Sequence, residues 1–343
     1  MPKTSKRSRA SSWDGKPRPC FLAFLPALEP KRESETSCSA EVARMNRAHF
    51  VVTAASLVLA GGPVRGVAAA ERKRSLWVWQ TPLEEMGELA TFAQHNGFDP
   101  IFLSIVSGER SALEAGEQTS LASVNALRTL KRAGLGVYAV AGDPSWVKHE
   151  RNEVPETVRK LLAVHHAHGV FDGLALDLEP HTLPEWKDES EKPVLATNYL
   201  NVLALVRAAV TSENLPLLAT VHPTYAKYSV PSRSGETLLQ SAARAVDATD
   251  LMAYRNAEST LESFGGAAME QLAATAKPWW LGVSTHSKSA PGTSYATLPA
   301  AQFFPDINQT ADELAKRYGG SFAGISVEDY RNTVALLNQD GAK

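Results

Sequence analysis

From residue 76 onward, short apolar runs alternate with stretches whose apolar positions recur at helical spacing. Leu76-Trp77-Val78-Trp79 reads as a first strand, and 82–95 as a helix stopped by Gly97. Further strands are predicted at 101–106, 136–141, 171–179, 217–221, 251–254, 279–283 and 322–327. Helices are predicted between them at about 121–133, 154–168, 196–211, 238–245, 268–276 and 312–318, with a last one at 333–338. Eight strands separated by helices predict an α/β fold, a single (β/α)8 TIM barrel spanning 71–343. A doubly wound open sheet is the alternative. That span is close to the ~250 residues such a barrel takes, and no linker or repeat divides it.

Extended backbone turns successive side chains to opposite faces. In Phe171-Asp172-Gly173-Leu174-Ala175-Leu176-Asp177-Leu178-Glu179-Pro180-His181, Ala175, Asp177 and Glu179 therefore share one face. Leu174, Leu176 and Leu178 share the other, and Pro180 ends the strand. Two acids on one face of an otherwise apolar strand need a reason, because burying charge is costly unless it is paired or used. By the same parity Trp77 and Trp79 face one way, whereas Trp279 and Trp280 face opposite ways.

Composition changes this picture little. A formal charge of −2 over 343 residues, with 44% hydrophobic residues, supports a sizeable core. It argues against a dedicated nucleic-acid binder or a binder of anionic membranes. The N-terminus differs. Residues 1–44 are rich in Lys, Arg, Ser and Pro without periodicity, as in a disordered or untranslated extension. Residues 45–70 have a basic start at Arg47, an apolar run from Phe50 to Ala60 and Ala68-Ala69-Ala70. That is the layout of a signal peptide with translation starting at Met45 and cleavage after Ala70. The apolar run is short for a bilayer span of roughly 20 residues, so no stable membrane insertion is expected after cleavage; a short anchor is the alternative. The expected location is secreted or periplasmic. Cys20 and Cys38 both precede Met45, so 71–343 contains no thiol and no disulfide, zinc–thiolate site or cysteine nucleophile.

A barrel carries its site at the C-terminal ends of the strands. The polar and aromatic residues expected there are Trp77, Trp79 and Gln80, then Asp143 and Trp146, then Asp177, Glu179 and His181. His222, Tyr254, Arg255, Ser284, Thr285, His286, Glu328 and Asp329 complete the set. Acids among tryptophan and tyrosine suit a carbohydrate ligand, since aromatic faces pack on sugar rings while carboxyls bond hydroxyls and protonate a leaving oxygen. The candidate substrate-binding residues are Trp79, Asp143, Trp146, His222, Tyr254, Arg255 and Glu328. No cofactor is called for. His165, His166 and His168 are read as solvated helix surface rather than as a metal cluster.

The stretch from Asp172 to Glu179 resembles the fourth-strand signature D-G-x-D-x-D-x-E of family 18 glycoside hydrolases, the chitinase group. Asp172, Gly173, Asp177 and Glu179 match, and Ala175 stands at the middle acid. Leu251-Met252-Ala253-Tyr254 is similar to that family's M-x-Y-D, with Arg255 in place of the acid, and Trp280-Leu281-Gly282-Val283 is similar to its seventh strand. The resemblance implies an exported glycosidase-like barrel that hydrolyses glycosidic bonds in a poly- or oligosaccharide. Glu179 would be the general acid, while Asp177 and Tyr254 would hold the substrate acetamido group that attacks the anomeric carbon. Glu328 or Asp143 is the alternative second carboxylate. Arg255 either pairs with Asp177 or Glu179, lowering that acid's pKa, or binds an anionic sugar. Two other readings stay open: a non-catalytic carbohydrate-binding barrel, and a metal-dependent hydrolase using His181, His222 and His286.

Overall fold

In a computed structural model, which describes residues 73–105, 118–230 and 235–339, eight parallel strands close on themselves in chain order. They are β1 Arg74–Val78, β2 Ile101–Leu103, β3 Val137–Ala141, β4 Gly173–Leu176, β5 Leu217–Val221, β6 Ala248–Leu251, β7 Trp279–Ser284 and β8 Phe322–Glu328. The ladder between β8 and β1, Arg74 beside Ile325 to Leu76 beside Val327, completes the barrel. The helices are α1 Met86–Asn96, α2 Gln118–Arg132, α3 Glu156–His168, α4 Lys192–Ser212, α5 Leu238–Ala245, α6 Glu258–Ala274, α7 Ala300–Tyr318 and α8 Tyr330–Leu337. The expected extension, export segment and both cysteines lie outside the described residues, as does Val106 at the expected end of the second strand.

Strand parity sorts the core into two layers. Trp77, Phe102, Val140, Ala175, Leu218 and Trp280 fill the barrel interior, with Trp79, Tyr138, Ala248 and Ala323 against them. Large rings are thus opposed by alanines, which is how side chains of unequal volume reach close packing. Leu174, Leu176, Leu178 and Trp279 belong to the outer layer between strands and helices. Gly97 caps α1 in the left-handed region at φ 68° and donates to the Ala93 and Gln94 carbonyls, a conformation glycine adopts without steric cost. By length and composition α4 is apolar enough to cross a membrane, but 50% of that window is buried within the protein.

Several boundaries differ from the sequence reading. β4 ends at Leu176, so Asp177 and Glu179 lie on the segment just beyond it rather than within the strand. β6 spans 248–251, three residues earlier than expected, because its partners in β5 and β7 begin opposite Ala248 and Thr249. α6 starts at Glu258 instead of 268, and α7 starts at Ala300 instead of 312, carrying Pro305 within it. Packing of apolar residues such as Leu261 and Phe303 favours these extra turns, outweighing weak local propensity.

Candidate active site

The two acids leave the sheet at the C-terminal end of β4. Asp177 keeps one ladder bond, its N–H donating to the Ala141 carbonyl at 2.9 Å. Pro180, which has no N–H, then opens a 3-10 turn over Pro180–Thr182. The Asp177 carboxylate accepts from Thr220 Oγ1 on β5 at 2.9 Å. Burial raises the Asp177 pKa above the ordinary carboxylate range, and the Thr220 bond partly opposes that.

Glu179 follows two residues later. Burial first, then the Asp177 and Glu328 charges, push its carboxyl up from 4.5 to about 7. Each cause penalises the ionised form, so this carboxyl keeps its proton up to about pH 7, far above an ordinary glutamate. Arg255 does not offset them: among the described residues it makes no ion pair, and Glu179 carries no contribution from it. The expectation that Arg255 pairs with Asp177 or Glu179 is therefore corrected. Its guanidinium instead lies 3.8 Å from the Phe264 ring centroid, and its Nη1 donates to the Tyr254 carbonyl at 2.6 Å.

Two cavities open here. One, of about 560 Å³, is lined by Trp79, Gln80, Asp177, His286, Glu328, Asp329, Arg331 and Asn332. The other, of about 280 Å³, is lined by Glu179, His181, His222, Met252, Tyr254, Arg255, Phe264, Ser289 and Thr293. Asp177 and Glu179 thus stand one in each lobe. Burial raises the Glu328 pKa, the Tyr254 hydroxyl opposes that, and Asp177 adds to it. The His181 and His222 rings stack at 4.2 Å. His181 Nδ1 meets the Tyr225 hydroxyl at 3.0 Å, and His222 Nδ1 accepts from the Thr224 N–H at 3.3 Å. Burial lowers both histidines to about 4; His222 adds to the effect on His181, and Arg255 to that on His222. Both are therefore neutral at pH 7.

Of the expected site residues, Asp177, Glu179, Trp79, His222, Tyr254, Arg255 and Glu328 line these two cavities. Asp143 and Trp146 do not. Asp143 is exposed and caps the turn at Pro144–Val147 by accepting from the Ser145 N–H, so it is no second carboxylate for Glu179. Trp146 is buried in the outer core rather than offered to a sugar. The three strand-end histidines do not converge, since His286 lines the other lobe. No group of three or more His, Cys, Asp or Glu side chains among the described residues is arranged to hold a metal ion.

Asp250 is the residue that sequence reasoning missed. It is 1% exposed. Its Oδ2 accepts from Trp77 Nε1 at 2.8 Å and from Ser326 Oγ at 2.5 Å, while Oδ1 is buried without a partner. Burial lifts its pKa to about 6 against those two hydrogen bonds, with Glu328 and Asp177 adding to the rise. Trp77, held this way, stacks on Trp79 at 5.6 Å between centroids, 9° from parallel. Asp250 therefore orients the aromatic floor of the Asp177 lobe. Its face parity with Met252 and Tyr254 is the signal that the sequence offers.

The raised Glu179 value has a consequence for stability. The folded chain binds this proton more tightly than the unfolded chain. The associated stabilisation is present in full below the unfolded value near 4.5 and is lost as pH rises through about 7. Glu179→Gln has no proton to lose. Its stability relative to wild type should rise by on the order of 1–3 kcal/mol between about pH 4 and about pH 9. Urea midpoints at the two pH values check this, and a pH-independent difference would show that Glu179 titrates normally.

No protein-family model and no curated protein sequence matches the chain. Solved structures similar to it include chitinases and other glycosidases. A class V chitinase from Pseudomonas fluorescens Pf-5 is 15% identical, with 79% of this chain and 100% of that one covered and a TM-score of 0.47. A chitinase from Chromobacterium violaceum ATCC 12472 is 12% identical, with 79% and 99% covered and a TM-score of 0.44. The spore cortex-lytic enzyme SleL of Bacillus cereus is 13% identical, with 78% and 73% covered and a TM-score of 0.44.

Proposed function

We propose that this chain is a divergent glycoside hydrolase of the family 18 type, acting on an oligo- or polysaccharide that contains N-acetylated sugars. The observation that carries the reading is the carboxyl pair just beyond β4, Asp177 and Glu179, lining two cavities at the strand ends, with burial and neighbouring carboxylates raising Glu179 to about 7. Glu179 donates its proton to the glycosidic oxygen as the bond to the anomeric carbon breaks. Asp177, fixed by Thr220, and Tyr254 hold the substrate acetamido group, whose oxygen attacks that carbon. Water, deprotonated by the ionised Glu179, then opens the resulting ring. Trp79, supported by Trp77, supplies an apolar platform for a sugar face. Residues 45–70 are taken as the export signal, which places the activity outside the cytoplasm.

A panel of N-acetylated and non-acetylated polysaccharides, assayed for new reducing ends with wild type and Glu179→Gln, tests the reading. Turnover confined to N-acetylated substrates and lost in the variant supports it. Turnover that survives the substitution undiminished rejects Glu179 as the acid. Saturable binding without turnover by wild type favours a non-catalytic carbohydrate-binding barrel, the reading that Ala175 in place of the middle acid motivates.

A further inference from the structure

Arg255 is a cation without an ion-pair partner among the described residues. Its guanidinium, which carries five N–H donors, commits one of them to the Tyr254 carbonyl and rests one face on Phe264. Among the described residues it makes no ion pair. Glu258, Asp306 and Glu313 line the cavity on its other side, about 180 Å³ in volume, yet none reaches it as an ion-pair partner. Arg255 is half-buried, so its remaining N–H donors are open to an acceptor from solution. The cavity that Arg255 shares with Glu179 offers no ion-pair partner among the described residues. Below about pH 7, where Glu179 carries its proton and His181 and His222 are neutral, Arg255 is the one full charge among the residues lining this cavity. With that proton in place, the lining of the lobe carries the single positive charge of Arg255.

We infer that this lobe binds a sugar unit carrying a carboxylate, held by the free edge of the Arg255 guanidinium next to the general acid. The inference rests on the glycosidase reading for the role of Glu179. Because Asp177 and Glu179 stand in separate lobes, and the Tyr254 hydroxyl reaches Glu328 on the Asp177 side, the unit that reacts at its anomeric carbon occupies the Asp177 lobe. The unit leaving with the protonated oxygen occupies the Arg255 lobe, and it is this leaving unit that bears the acid. Planar guanidinium and carboxylate groups pair through two parallel hydrogen bonds. Ser289 and Thr293 line the same cavity. Two common chemistries place a carboxylate on that unit: a uronic acid, and a lactyl ether on an amino sugar.

The test measures binding by calorimetry, using the Glu179→Gln protein so that no hydrolysis intrudes, and rates with wild type. The probes are an alternating N-acetylglucosamine–glucuronic acid oligosaccharide, N-acetylglucosaminyl-N-acetylmuramic acid, and the carboxyl-reduced form of each. At least one carboxylate probe should bind about ten- to a hundredfold more tightly than its reduced form, and which one does identifies the source of the acid. Adding Arg255→Gln should bring that ratio to within about twofold, and Arg255→Lys, which keeps the charge but not the planar fork, should retain part of it. A ratio near one for both probes overturns the inference without any reliance on an Arg255 variant, as does a ratio unchanged by Arg255→Gln. Hydrolysis of neutral chitooligosaccharides with no acid preference would leave the glycosidase reading standing and remove this one. Acid-selective binding without hydrolysis would do the reverse.

Discussion

Glu179→Gln should lower kcat on natural glycans by about 10²–10⁴-fold, the range in which a positioned general acid contributes. The loss should be much smaller on aryl glycosides whose leaving group departs without a proton. The substitution is nearly isosteric, and no hydrogen bond contributes to the state of the Glu179 carboxyl, so little packing is disturbed. It removes an ionisable group whose charge is disfavoured by burial, Asp177 and Glu328, so stability should rise at alkaline pH while activity falls. A folding defect would move both the same way. Wild type should also lose kcat/KM as pH rises through about 7, where Glu179 gives up its proton, and the residual rate of the variant should lack that limb. Equal losses on natural and aryl substrates would remove Glu179 from the role of acid.

Gly142→Ala should destabilise the fold by roughly 1–3 kcal/mol or more, the range for overpacking. It should also lower activity by about 10²-fold, the effect that a displacement on the order of 1 Å has on a catalytic group. Gly142 follows β3, and a Cβ there would overlap the carbonyl of Asp177. The obstacle is backbone, which cannot rotate aside as a side chain does. Relief requires moving β3 away from the strand end that carries Asp177 and Glu179. A contrasting position is Gly87 in α1, where a Cβ meets nothing within 4 Å. Alanine there should be neutral or stabilising by roughly 0.5–1 kcal/mol, as for glycine in an ordinary helix. Thermal or urea unfolding of the two variants, with activity measured alongside, gives the comparison. Equal effects would show that the β3–β4 approach is looser than described.

What determined each feature follows the range of the forces involved. Inward and outward placement was legible in the residues themselves, because alternation is a covalent property of extended backbone. Leu174, Leu176 and Leu178 went to the outer layer and Ala175 to the interior, with Trp279 and Trp280 divided between the two. The eight apolar runs and their order carried the barrel for the same reason. Element ends were less legible, as β6 shows: its limits are set by the strands it pairs with, which lie far away in sequence. Only tertiary structure brought Asp250 onto Trp77 and Ser326, sank Trp146 into the outer core, and placed Arg255 on Phe264 without an ion-pair partner among the described residues. The protonation of Glu179 belongs with these, since desolvation and the fields of Asp177 and Glu328 depend on how closely the folded chain assembles them. The two acids were written in the sequence, whereas the environment that makes one of them a proton donor exists only in the closed barrel.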